Sequence, residues 1–85
     1  MTHHIKIQKE YADAVASGDK TFEVRYNDRG YQKGDHIVFQ VMDGHFQEYH
    51  PLNSKEYEIT YVLSGFHIEE NYVVLAIKEC TQNDD

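Results

Sequence analysis

The apolar residues of this 85-residue chain recur mostly at every second position, the period of a strand with one face against a core. In residues 36–42, Ile37, Phe39 and Val41 share one face. In residues 56–63, Tyr57, Ile59, Tyr61 and Leu63 are expected inward, with Glu56, Glu58 and Thr60 outward. Residues 21–26 alternate as well: Phe22, Val24 and Tyr26 are expected on the core face, and Thr21, Glu23 and Arg25 on a polar one. Residues 72–77 are apolar on both faces, as in a central strand covered on both sides. Residues 5–8 read as a short strand. Asp43-Gly44 is the strongest hairpin signal and joins 36–42 to a strand over 45–49.

The period changes to that of a helix in residues 10–17. Tyr11, Ala14, Val15 and Gly18 fall at i, i+3, i+4 and i+7, Glu10 suits the positive N-terminal end, and Gly18 is a stop. Asn27-Asp28-Arg29-Gly30 has turn chemistry. Residues 50–55, with the single proline, read as a loop, and residues 64–71 as another, tethered by Phe66 and Ile68. Residues 81–85 form a polar tail. No repeat, low-complexity tract or linker divides the chain. The expectation is one domain over residues 1–80, mostly β (α+β), with about six strands and one short helix near residues 10–18, forming a small β-barrel that closes its own edges.

Composition narrows the function. A hydrophobic content of 40% supports a core and is too high for disorder. The single cysteine makes no internal disulfide. No apolar run is as long as a membrane span and the N-terminus is polar, so the expected location is the cytoplasm, with no membrane partner. The net charge of −7 opposes general nucleic-acid affinity. The charge is uneven, however. Residues 1–33 carry six basic residues against five acidic ones, a net of +1, and residues 34–85 carry two against ten, a net of −8. An anion site therefore belongs in the first third of the chain.

That third holds Gly18-x-Lys20-x-x-Glu23-x-Arg25, then Asn27-Asp28-Arg29 and Gly34-Asp35. The first pattern resembles the signature of ASCH domains, a branch of the PUA-like superfamily. The longer run, Lys20-Thr21-Phe22-Glu23-Val24-Arg25-x-Asn27-Asp28-Arg29-x-x-x-x-Gly34-Asp35, resembles more closely a small ASCH-like family. That family is phage- and bacteria-associated, of unknown function, with RNA binding suggested for it. Weaker matches, in the same order as in the family, are His3-x-Ile5-Lys6-Ile7, Ile59-Thr60-Tyr61-Val62-Leu63 and Tyr72-Val73-Val74-Leu75. The resemblance covers nearly the whole chain and implies a PUA-like barrel with a ligand cleft between the early helix and the sheet. It places Lys20, Glu23 and Arg25 in that cleft, with Asn27 or Arg29 at its rim, Lys6 as a further candidate and His3 near by.

Three functions compete. In the first, a binding module takes a nucleotide or RNA: a lysine and two arginines hold a phosphate, and Glu23 accepts hydrogen bonds from a base. Tyr26, Tyr31 and Tyr72 are candidate stacking surfaces. In the second, the chain is an enzyme. Some ASCH proteins resemble small amidohydrolases acting on acetylated cytidine, which use a lysine, a threonine and a glutamate. Lys20 matches the lysine, but Glu23 stands where the nucleophilic threonine would be, and Thr21 comes two residues early. Lys20 and Glu23 would then be left with acid–base work. In the third, a phage accessory protein binds a host protein through its acidic surface. No cofactor is expected. The six histidines lack paired-ligand spacing and Cys80 has no partner motif, so no metal site is expected either.

Overall fold

The computed structural model describes residues 1–81, which fold as a single curled sheet with one α-helix against it. The elements are β1 (Thr2–Gln8), α1 (Lys9–Ser17), β2 (Phe22–Tyr26), β3 (His36–Asp43), β4 (Phe46–Gln47), a 3-10 turn (Pro51–Ser54), β5 (Glu56–Leu63) and β6 (Tyr72–Glu79). The sheet order is β1-β3-β5-β6-β2, with β4 attached to β3. β1 runs parallel to β3, with Ile5 opposite Phe39. The other neighbours are antiparallel. β6 is an interior strand, as expected, but it is not fully covered on both sides: Val73, Leu75 and Ile77 are buried, while Val74 and Ala76 on the other face are half-buried. No helix among the described residues is long and apolar enough to cross a membrane. Of the expected polar tail, Thr81 is exposed and residues 82–85 lie outside the described residues.

The core fills the concave side of the sheet. Ile5, Ile7, Ile37, Phe39, Val41, Ile59, Val73, Leu75 and Ile77 supply it from the strands, and Ala12 and Val15 from the helix. α1 ends as read: Gly18 takes φ 87°, which a side chain would resist, and its N–H donates to the Val15 carbonyl.

The structure departs from the sequence reading at several points. The sheet does not close into a barrel by hydrogen bonding: β1 and β2 are its two edges and share no ladder. β2 has the opposite parity to the one expected. Phe22, Val24 and Tyr26 are 44%, 55% and 53% exposed, whereas Glu23 is 4% exposed. Alternation separates two faces without saying which is inside. Here the ion partners of Glu23 let it take the inner one.

β5 keeps its expected parity only to Ile59. The register passes from Ile59↔Ile77 to Tyr61↔Ala76, so Thr60 is an extra residue and the faces exchange beyond it. Tyr61 is consequently exposed, and Val62 packs against the core in its place. Phe66 is no tether, being 84% exposed. β1 begins at Thr2 rather than residue 5, β4 shrinks to two residues, and the loop at 50–55 contains the 3-10 turn. His50 caps that turn by accepting the Leu52 N–H on Nδ1.

Candidate functional site

The open seam between β1 and β2 is where the polar residues of the first third converge. Two arginines cross it. Arg25 Nη2 donates to the Lys6 carbonyl at 2.6 Å, and Arg29 Nη1 donates to the His4 carbonyl at 2.8 Å. Both acceptors are backbone oxygens of β1, so side chains from β2 and the turn after it make the bonds a sheet ladder would otherwise make.

Beside the first of these bonds lies the buried Glu23 carboxylate. Its Oε1 accepts from Lys20 Nζ, and its Oε2 accepts from Arg25 Nε at 2.9 Å. Lys20 also donates to the Phe22 carbonyl at 2.7 Å. Its ammonium stands 5.8 Å from the Tyr11 ring centre and 5.2 Å from that of Phe22, within cation–π range of both. One carboxylate thus holds two cations, and the trio keeps one net positive charge. A buried carboxylate is tolerable only with such partners.

The trio forms one wall of a cleft of about 770 Å³. That is within the usual range for a small-molecule site, roughly 300–1,000 Å³. β1 contributes Lys6, Ile7 and Gln8, α1 contributes Tyr11 and Ala14, and β2 with its approach contributes Asp19, Lys20, Phe22, Glu23, Val24 and Arg25. The walls are largely apolar. Lys6 and Asp19 bring opposite charges, so the single positive charge of the trio sets the sign of the site. No serine, threonine or cysteine lines the cleft among the described residues. Thr21 is outside the lining, and its carbonyl accepts from the Ile77 N–H at 3.0 Å.

Of the six residues singled out from the sequence, Lys6, Lys20, Glu23 and Arg25 line this cleft. Asn27 and Arg29 do not. Asn27 Oδ1 accepts the Tyr31 N–H at 3.0 Å, and Asn27 borders a separate hollow of about 350 Å³ formed with the 64–71 loop. Arg29 serves the seam. None of the three expected stacking tyrosines lines the cleft. Tyr26 packs edge-on against Tyr72, and Tyr31 is buried edge-on against His3. Burial raises the Tyr31 phenol above its ordinary range, with Arg25 and Arg29 opposing. His3 is buried too, outside the cleft lining, with Nε2 2.8 Å from Asp35 Oδ2. That bond is the main cause of a lowered Asp35 pKa.

Tyr11, Gln8 and Asp19 were missed. The helical period grouped Tyr11 with Val15 on a core face. In the structure Ala12 and Val15 are the buried pair, while Tyr11 and Ala14 face the cleft.

The comparisons with known proteins bear on fold and family. A family model described as "Domain of unknown function (DUF3850)" matches residues 2–77. A solved structure described as "Crystal structure of hypothetical protein PH0355" is similar with a TM-score of 0.60, covering 94% of this chain and 100% of that one at 17% identity. At that identity the likeness concerns the fold. No curated protein matches.

Proposed function

Because the chain belongs to the family of the DUF3850 domain, which has no assigned activity, we propose its function from the cleft itself: it binds a single nucleotide, free or as one residue of single-stranded RNA. The observation that carries this reading is the pairing of a largely apolar slot with one net positive charge on its wall. A base lies against Ile7, Ala14, Phe22 and Val24 with Tyr11 at its face, and Lys20 and Lys6 meet one phosphate. Glu23 and Arg25 are already bonded to each other, and Arg25 to β1, so they present a fixed polar edge instead of a mobile clamp. One spare positive charge suits a single phosphate and gives no track for a polyanion.

The kinship to ASCH and PUA-like domains is part of the same proposal. It is supported by the Lys20-to-Asp35 motif and by a curled sheet whose gap is flanked by the early helix. The hydrolase alternative receives no such support, since no serine, threonine or cysteine lines the cleft among the described residues.

Nucleoside monophosphates and a short single-stranded RNA, titrated into isotopically labelled protein, test the reading by amide shifts. The expected result is shifts at Ile7, Tyr11 and Lys20, weakened at least about fivefold in Tyr11→Ala and in Lys6→Ala. Both residues are exposed and outside the Glu23 trio, so both variants should fold. Absence of shifts at millimolar ligand, or shifts confined to the acidic face, would overturn it.

A further inference from the structure

Three different metal-ligating side chains, far apart in sequence, meet where β3 and β5 overlap beside the end of β6. His36 opens β3, Glu56 opens β5, and Cys80 follows β6. These strands are neighbours, in the order β3-β5-β6. One donor atom from each of the three residues falls within 4.8 Å of the others. His36 Nδ1 is bonded to a Glu56 carboxylate oxygen, and Cys80 Sγ is 3.9 Å from the same Nδ1.

From these positions we propose that His36, Glu56 and Cys80 form a site for a thiophilic divalent cation of the zinc class. Zinc takes sulfur at about 2.3 Å and imidazole nitrogen at about 2.0–2.1 Å. In a tetrahedral site those lengths set sulfur and nitrogen about 3.6 Å apart. The 3.9 Å found between Sγ and Nδ1 needs only a small adjustment. The metal takes the place of the hydrogen between His36 and Glu56 and of the Cys80 thiol hydrogen, both released to solvent as protons, and water completes the fourth position. Borderline-soft N, S and O donors together favour zinc over magnesium or calcium, which prefer oxygen alone.

The backbone supports the cluster. The Cys80 N–H donates to the Glu56 carbonyl at 2.8 Å, and the His36 N–H donates to the Met1 carbonyl at 2.9 Å. Glu58, opposite His36 in register, adds a carboxylate near by that favours a cation. The side chains of His36 and Glu56 are 37% and 46% exposed, so a cation can reach them. Sequence spacing could not show this site, because its three members lie 20 or more residues apart and are brought together only by strand pairing.

The test uses the reduced full chain, stripped of metal by a chelator. Zinc(II) is titrated in competition with a colorimetric chelator, and cobalt(II) serves as a spectroscopic probe. One zinc per chain is expected, with a thiolate-to-cobalt charge-transfer band. Cys80→Ser should abolish the band. His36→Ala and Glu56→Gln should each weaken zinc binding at least about tenfold, with circular dichroism verifying the fold. His4→Ala, an exposed histidine outside the cluster, should bind as the wild type does. A missing cobalt–thiolate band in the wild type, or equal weakening in His4→Ala and His36→Ala, would overturn the proposal.

Discussion

At the residue scale, the decisive feature is a buried carboxylate held by two cations. Glu23 cannot lose a partner cheaply, since a buried acceptor left without its hydrogen bond typically costs about 1–3 kcal/mol even with Lys20 still in place. Arg25→Ala removes both the bond to Glu23 and the bridge to the Lys6 carbonyl. Urea unfolding should show a loss of about 2–3 kcal/mol. Arg25→Lys should recover only part of it, because an ammonium lacks the planar fork that reaches two acceptors. Tyr11→Ala should stay within about 0.5 kcal/mol of wild type. A second residue-scale expectation concerns acid. Asp35 has its pKa lowered, first by the His3 bond, so the folded state binds its proton less readily than the unfolded chain does. The stability this contributes is complete above the unfolded carboxyl pKa of about 3.9 and disappears as pH falls through the lower folded value. Asp35→Asn should therefore lose stability at pH 7 and show a flatter acid-unfolding profile than wild type below about pH 4.

At the element scale, β2 is the strand to probe. Val24 is 55% exposed and Leu75, on the neighbouring strand, is 0% exposed. Val24→Ala should change stability by no more than about 0.5 kcal/mol, and Leu75→Ala should cost about 2–5 kcal/mol. A large loss in Val24→Ala would restore the inward parity expected from the sequence. This strand also marks the limit of what the sequence makes legible. The alternation in β3 and in the first half of β5 leads directly to Ile37, Phe39, Val41, Tyr57 and Ile59 in the core, and Gly18 ends the helix where its φ requires glycine. β2 alternates just as well, yet its inner face is decided by an ion trio assembled from the strand and its approach. The bulge at Thr60 is equally silent, since one unpaired residue leaves no mark in a hydropathy pattern. For the cleft, Lys20, Glu23 and Arg25 are legible as a polar group after a helix, while their placement in a cleft with Lys6 comes from the ASCH-like motif. Tyr11 is not legible, because a ring at a helical period looks the same facing a core or a groove.

At the scale of the whole molecule, charge and connectivity set the behaviour. Under the proposed nucleotide binding, a net charge of −7 overall and one spare positive charge in the cleft give single-stranded RNA a shallow salt dependence. One phosphate contacted on a single strand gives a slope of about 0.7 in log affinity against log salt. A slope several times larger, measured by titrating labelled RNA at two ionic strengths, would point to an extended basic surface that the fold does not supply. Connectivity has its own consequence. β2, near the start of the chain, has β6 as its sheet neighbour, with Phe22 opposite Ala76 and Tyr26 opposite Tyr72. During synthesis the N-terminal part emerges first. It must therefore wait, with Glu23 hydrated and its arginine unbridged, until residues 72–76 have left the ribosome. Pairing so distant in sequence is slow to form. The cleft is thus among the last parts of the molecule to be assembled, and a nascent chain halted before β6 would carry the whole Lys20-to-Arg25 motif without the strand needed to shape it.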